Sequence, residues 1–150
     1  MSRSKNLQAF LDMIAVSEGT KHLGDDGYNV LVGGTLFEGY ADHPRKLVKL
    51  NERLSSTAAG RYQILARYFD AYRRTLDLHD FGHASQDAIA IQMIREQHAL
   101  PDVEAGRLAR AVELCANIWA SMPGAGYGQH ENKLAKLEQA YRDHGGALEA

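Results

Sequence analysis

The 150-residue sequence contains a single cysteine, Cys115, so no disulfide can form within the chain. Its neighbours Val112, Ile118 and Trp119 point to a small buried hydrophobe rather than a nucleophile. Excess charge is also lacking. The formal net charge is −2, which gives no global basic field to recruit nucleic acid or acidic lipid. No stretch approaches the ~20 apolar residues of a membrane span. The opening "MSRSKNLQAFLDMIAV" lacks the apolar run of a signal peptide, and Asp12 interrupts it. The expectation is a protein made and folded in a cytoplasm, needing help to act outside it. Repeats, low-complexity tracts and linkers are missing as well. What remains is ordinary: 45% hydrophobic and 24% charged residues, enough for one domain over 1–150 that buries about 70% of its unfolded surface.

Leu7, Leu11 and Ile14, with Phe10 beside them, repeat at helical spacing and predict a first helix ended by Gly19. Residues 20–27 are polar and read as a loop. "YNVLVGGTLFEGY" has two short β-prone runs around Gly33-Gly34, a hairpin signal. In "ADHPRKLVKLNERLSS", Pro44 excludes a long regular element. Ser55, Ser56 or Thr57 can cap a helix through "AAGRYQILARYFDAYRR", with Ile64, Leu65, Tyr68, Phe69 and Tyr72 as its stripe. A third helix runs from Ser85 and stops before Pro101. A fourth carries Leu108, Val112, Cys115 and Trp119 and is stopped by Pro123-Gly124. The glycine-rich "PGAGYGQ" precedes a last helix with Leu134, Leu137 and Tyr141, ended by Gly145-Gly146 before a frayed tail. The pattern is α+β, mostly helical with one small antiparallel hairpin.

Glu18 is the first candidate for chemistry. It lies eleven residues past Leu7, which at ~100° per residue is only about 20° off the same line. It therefore continues the apolar stripe at the C-terminal end of the helix. Partial burial and the negative end of the helix dipole both raise a carboxyl pKa there, giving an acid still protonated near neutral pH. The alternative is a helix frayed before Ser17 with Glu18 solvated. Spacing alone leaves both open.

In "STAAGRYQIL", Gly60 and Gln63 lie three apart near a helix start and share a face. Glycine admits close approach, and a glutamine amide donates to and accepts from sugar hydroxyls, acetamides or a carboxyl. An ordinary capped helix start with a surface glutamine fits the spacing equally. "PGAGYGQ" follows a helix, not a strand, so it is no dinucleotide fingerprint. Tyr127 within it can stack on a sugar face, or be a plain loop residue. Of the histidines, His22, His43, His79, His83, His98, His130 and His144, only His79 and His83 stand at i, i+4. A glycine separates them and no partner ligand is evident, so no metal is expected. No G-x-S-x-G elbow supports serine chemistry.

Taken together and in order, "FLDMIAVSEGT", "GYNVLVGG", "DHPRKLVKLN", "STAAGRYQIL" and "NIWASMPGAGYGQ" resemble the phage lambda endolysin family. The likeness covers about Phe10 to Gln129. It implies a lysozyme-like fold and a lytic transglycosylase that cuts the β-1,4 bond between N-acetylmuramic acid and N-acetylglucosamine, leaving a 1,6-anhydro end. It implies that Glu18 is the catalytic acid. It further implies that Gln63, with Gly60 and Tyr62 of the same "GRYQ", and Tyr127 line the saccharide groove. Peptidoglycan strands are then the partner, with no cofactor, metal or nucleic acid. A monomer is expected, released from the host cytoplasm through a holin lesion to act in host-cell lysis. Two departures stand out: a short loop between Gly19 and Tyr28, and Tyr68-Phe69 where relatives such as lambda's have two tryptophans, a change of packing more than of chemistry. A hydrolytic muramidase would need a second carboxylate, for which Asp25, Asp26, Glu38 and Asp42 are candidates. A non-catalytic wall-binding module is the rival of another class.

Overall fold

A computed structural model describes residues 3–124 and 131–150 of the chain. These residues form two compact units. One is made of residues 1–19 and 91–150, the other of residues 20–90.

The first unit is built on α1 (Lys5–Glu18). Ser4 caps it by accepting the Leu7 N–H at 3.1 Å, and Gly19 closes it in the left-handed region at φ 78°. The buried face is broader than the sequence stripe, with Ala9, Phe10, Met13 and Ala15 inaccessible beside Leu11 and Ile14. α1 packs against α6 (Leu134–Asp143) and α4 (Leu100–Ala105). The predicted stop before Pro101 is corrected. α3 (His83–Glu96) ends earlier, and Pro101 starts α4 within its first two positions, where its missing N–H costs nothing. α5 (Leu108–Cys115) buries Leu108, Val112 and Cys115, and Trp119 continues their stripe through the turns beyond it. Burial pushes the Cys115 thiol up to about 12, so it acts as a hydrophobe.

The tail is not frayed. Ala147 N–H donates to Asn6 Oδ1 at 3.0 Å, and Tyr141 OH donates to the Ala147 carbonyl at 2.9 Å. Glu149 N–H reaches the Gly106 carbonyl at 3.0 Å while its carboxylate pairs with Arg107. Among the described residues no helix is long and apolar enough to cross a membrane.

The second unit contains the small sheet, and here too the sequence reading needs correction. The antiparallel pair is β1 (Val48–Lys49) with β2 (Ser55–Ser56), in register Val48↔Ser56 and Lys49↔Ser55. Asn51 makes the reversal, its side-chain oxygen accepting the Arg53 N–H at 2.8 Å. Around Gly33-Gly34 the chain does fold back, but only as the isolated bridge Val30↔Leu36. The helix expected from Ser55–Thr57 onward begins later, as α2 (Ala66–Thr75). Thr57 still caps it, at nine residues' remove, by accepting the Ala66 N–H at 3.0 Å. Only Phe69 of α2 is buried. It meets Phe81 edge-on and His43 at a tilt, while Tyr68 is exposed, so of the Tyr68-Phe69 pair one is core and the other surface.

His43 is 2% exposed. Its Nδ1 accepts the Arg45 N–H at 2.9 Å, which leaves the ring proton on Nε2 to meet the Ile64 carbonyl at 2.8 Å. Burial holds its pKa below the ordinary 6.5. A histidine kept neutral by the fold stabilises fully above its unfolded pKa and loses that contribution as pH falls below it. The His43 contribution, read as the difference in melting between the parent and His43→Gln, is therefore expected to be about 1–2 kcal/mol at pH 7.5 and to shrink between pH 6.5 and 5.

Candidate active site

Glu18 is the last residue of α1, and helix geometry turns its half-buried side chain toward the interior of the first unit. The alternative of a helix frayed before Ser17 is excluded, since Gly19 N–H still closes onto Val16 and Ala15. Burial raises the Glu18 pKa from 4.5 to about 7, opposed by a hydrogen bond from the Ser121 hydroxyl to the carboxyl. The hydroxyls of Ser121 and Ser17 lie 2.7 Å apart. Asn132, itself buried, donates from Nδ2 to the Ser17 carbonyl at 2.9 Å and to the Ser17 hydroxyl at 3.3 Å. At neutral pH about half of such a carboxyl is protonated, so one group is available as both acid and base.

Gly60, Tyr62 and Gln63 belong to the second unit, and they share a tight turn rather than a helical face. Ala59 and Ile64 pair as an antiparallel bridge across it. Gly60 sits at φ 85° and Gln63 at φ 54°, so both ends of the turn are left-handed. That is routine for glycine and strained for glutamine. Gln63 offsets the strain with its own side chain, whose Nε2 donates to the Gly60 carbonyl at 3.0 Å and the Val30 carbonyl at 3.3 Å. Its Oε1 takes no part in these bonds. A Cβ on Gly60 would overlap the amide of the fully buried Gln86, whose oxygen accepts the Arg61 N–H at 2.9 Å.

Tyr62 is 1% exposed, with its hydroxyl donating to Asp87 at 2.6 Å and accepting from Arg61 at 3.2 Å. Arg61 is equally buried. Its guanidinium donates to the Asp26 carbonyl and carboxylate at 3.0 and 3.3 Å and lies against the rings of Tyr28 and Tyr62. Tyr62 and Gly60 thus fix the turn that carries Gln63. Tyr127 lies outside the described residues.

Arg61, Ser121 and Asn132 had escaped the sequence reading. Ser121 stands inside "NIWASMPGAGYGQ", but nothing in its spacing ties it to a residue about a hundred positions earlier. Arg61 had a readable signal: a cation between a glycine and an aromatic in a stretch otherwise apolar.

A family model described as Endolysin matches residues 8–148. The chain belongs to the endolysin family. It is 53% identical over 145 residues to the endolysin of Escherichia phage lambda, covering 94% of this chain and 92% of that one. Against the endolysin of Escherichia phage P2 it is 49% identical over 155 residues, with 95% and 94% covered. Among solved structures, bacteriophage lambda lysozyme complexed with a chitohexasaccharide superposes with a TM-score of 0.95 at 51% identity over 99% of each chain. The α+β, lysozyme-like fold expected from the sequence is the fold of this endolysin, and membership makes it an enzyme of the lysozyme type.

Proposed function

We propose that this endolysin is a lytic transglycosylase acting on peptidoglycan, with Glu18 as its single acid and base. The observation that carries the reading is a carboxyl poised near neutrality by burial, against one hydroxyl that favours its charged form. Glu18 donates its proton to the glycosidic oxygen as the bond from the muramyl C1 breaks. The muramyl C6 hydroxyl oxygen then bonds to C1 and gives its proton to the Glu18 carboxylate. The enzyme returns to its starting state, and the ends formed are an N-acetylglucosamine 4-hydroxyl and a 1,6-anhydromuramyl residue. No water is consumed.

Hydrolysis would instead need a carboxylate to activate water. The candidates in the sequence are poorly suited to it. Hydrogen bonds from Tyr40 and His83 hold Asp25 below its ordinary range, and Arg45 does the same for Asp42. Burial pushes Asp26 up, but Lys21, the His22 N–H and Arg61 together bring it below its ordinary value. A carboxylate so held is a weak base. Glu38 is exposed.

Gln63 is proposed to meet the glycan through its uncommitted Oε1, supported by Gly60 and Tyr62, and Tyr127 to stack on a sugar ring. The relative that was solved with a chitohexasaccharide supports a glycan occupant. The protein is taken to act as a monomer, reaching the wall from the host cytoplasm through a holin lesion. Mass spectrometry of digested peptidoglycan tests the chemistry. The expected fragments are one water lighter than those of a muramidase and carry no new reducing ends. Fresh reducing ends would reject transglycosylation.

A further inference from the structure

The Glu18 carboxyl is one end of a chain of hydrogen bonds that runs to the surface of the first unit. Lys136 is exposed and donates from Nζ to Asn132 Oδ1 at 3.0 Å. An ammonium can only donate, so this contact fixes the Asn132 amide with its oxygen outward and its Nδ2 toward Ser17. That Nδ2 lies 3.3 Å from the Ser17 hydroxyl, which is 2.7 Å from the Ser121 hydroxyl, which bonds the Glu18 carboxyl. Each hydroxyl has one proton. With Ser121 donating to the carboxylate, it must accept from Ser17, and Ser17 accepts from Asn132. Every donor in the series then points toward Glu18, and the series begins at a positive charge.

We propose that Ser121, Ser17, Asn132 and Lys136 form a polarised relay of positioning residues that favours the carboxylate form of Glu18 and so sets the balance between its acid and base duties. The proposal rests on the reading of Glu18 as the catalytic group and adds what tunes it. Burial alone would leave Glu18 a strong proton holder, ready to protonate the leaving oxygen but slow to release its proton and take up that of the C6 hydroxyl. The relay offsets burial from inside the fold. Bonds in series polarise one another, so a cation at the far end strengthens the bond at the near end. The other charged groups on the helices packed against α1 are paired with other residues or exposed. In α4, Asp102 pairs with Arg107 and Glu104 is exposed. In α6, Glu138 pairs with Arg142, and Asp143 accepts from Gln139. Lys136 is bonded to Asn132.

The test is a direct titration of Glu18 by NMR of protein labelled with carbon-13 at the glutamate carboxyl, its resonance assigned by its loss in Glu18→Gln. Removing the near hydroxyl in Ser121→Ala is expected to raise the midpoint by about one pH unit. Removing the distant cation in Lys136→Met is expected to raise it by about a third of a unit, the smaller effect of an exposed, screened charge. Lys136→Arg, which keeps cation and donor, is expected to restore the parent midpoint. The alkaline limb of the lysis rate should move with each midpoint, which a merely structural role would not cause. In a Ser17→Ala background, which cuts the chain between its ends, Lys136→Met should have no effect.

A midpoint unmoved in Ser121→Ala or Lys136→Met overturns the relay, as does a Lys136→Met effect that survives in the Ser17→Ala background. Lys136 is exposed, so its variants fold, and they decide the matter alone if Ser121→Ala does not. Shifted midpoints together with full activity in Glu18→Gln would uphold the relay and reject the catalytic role. Unshifted midpoints with an inactive Glu18→Gln would do the reverse.

Discussion

Glu18→Gln protein is expected to clear wall suspensions about a thousandfold more slowly than the parent, the usual loss when a general acid-base is removed. The amide keeps the shape of the carboxyl, so folding and binding to the glycan should persist. A second consequence separates this variant from simple damage. Burial holds the Glu18 pKa at about 7 against an ordinary 4.5. A carboxyl whose pKa is raised by folding resists ionisation only in the folded state. The folded protein therefore loses stability relative to the unfolded chain as pH rises from 4.5 to 7, and the loss stays constant above that. Removing the ionisable group should thus stabilise the protein by up to about 3 kcal/mol at pH 8 and leave it unchanged at pH 4. Denaturant melts at the two pH values measure this directly. An inactive variant that is also more stable in alkali carries both signatures of a buried acid. Unchanged clearing would remove Glu18 from the reaction, and a parent protein that binds wall without clearing it would be a binding module.

Arg61→Met is expected to lower stability by about 3 kcal/mol, most of the loss falling on the second unit. Methionine can fill much of the space, but it cannot answer the polar groups around it. The guanidinium serves the Asp26 carbonyl and carboxylate, the Tyr62 hydroxyl and the faces of two tyrosine rings. Asp87 nearby is buried and already accepts from both Tyr28 and Tyr62. Without the cation its charge is held in the interior with less compensation. Gln63 rides on the adjacent turn, so clearing should fall as well, and more in KM than in kcat if the proton chemistry resides on Glu18 as proposed. Urea midpoints and rates at several wall concentrations give the two numbers. Arg61→Lys should recover only part of the loss, since an ammonium cannot serve carbonyl, carboxylate and phenol from one planar fork.

The sequence was most legible where a local rule decides the outcome. A stripe at helical spacing and a glycine after it located the end of α1, although spacing left open whether Glu18 there is buried or solvated. Stripes through Leu108 and Leu137 likewise located α5 and α6. It was least legible between Thr57 and Leu65. "AAGRYQIL" has the composition of a helix, yet Gly60 and Gln63 both adopt left-handed backbone because Arg61 and Tyr62 are drawn to Asp26 and Asp87. Those partners lie 25 to 35 residues away, and no window of spacing contains them. The same holds for Asn132 and Ser17, 115 residues apart. Pro101 misled in a simpler way: a residue that stops one helix also starts another, and the apolar run before it gave no sign of the break at Glu96.

The split make-up of the first unit bears on how the chain acquires its structure. α1 is made before the helices it packs against, α4 and α6, which begin at residues 100 and 134. Until they emerge from the ribosome, Phe10, Leu11, Met13 and Ile14 lack those two partners, whereas residues 20–90 already form a compact unit. Contacts between such distant stretches close slowly, because the loop between them must first be ordered. Glu18 is thus translated well before the residues that complete its surroundings, Ser121 and Asn132. A nascent chain halted at residue 100 would hold the glutamine-bearing turn with all of its own unit, and a Glu18 that still lacks Ser121 and Asn132.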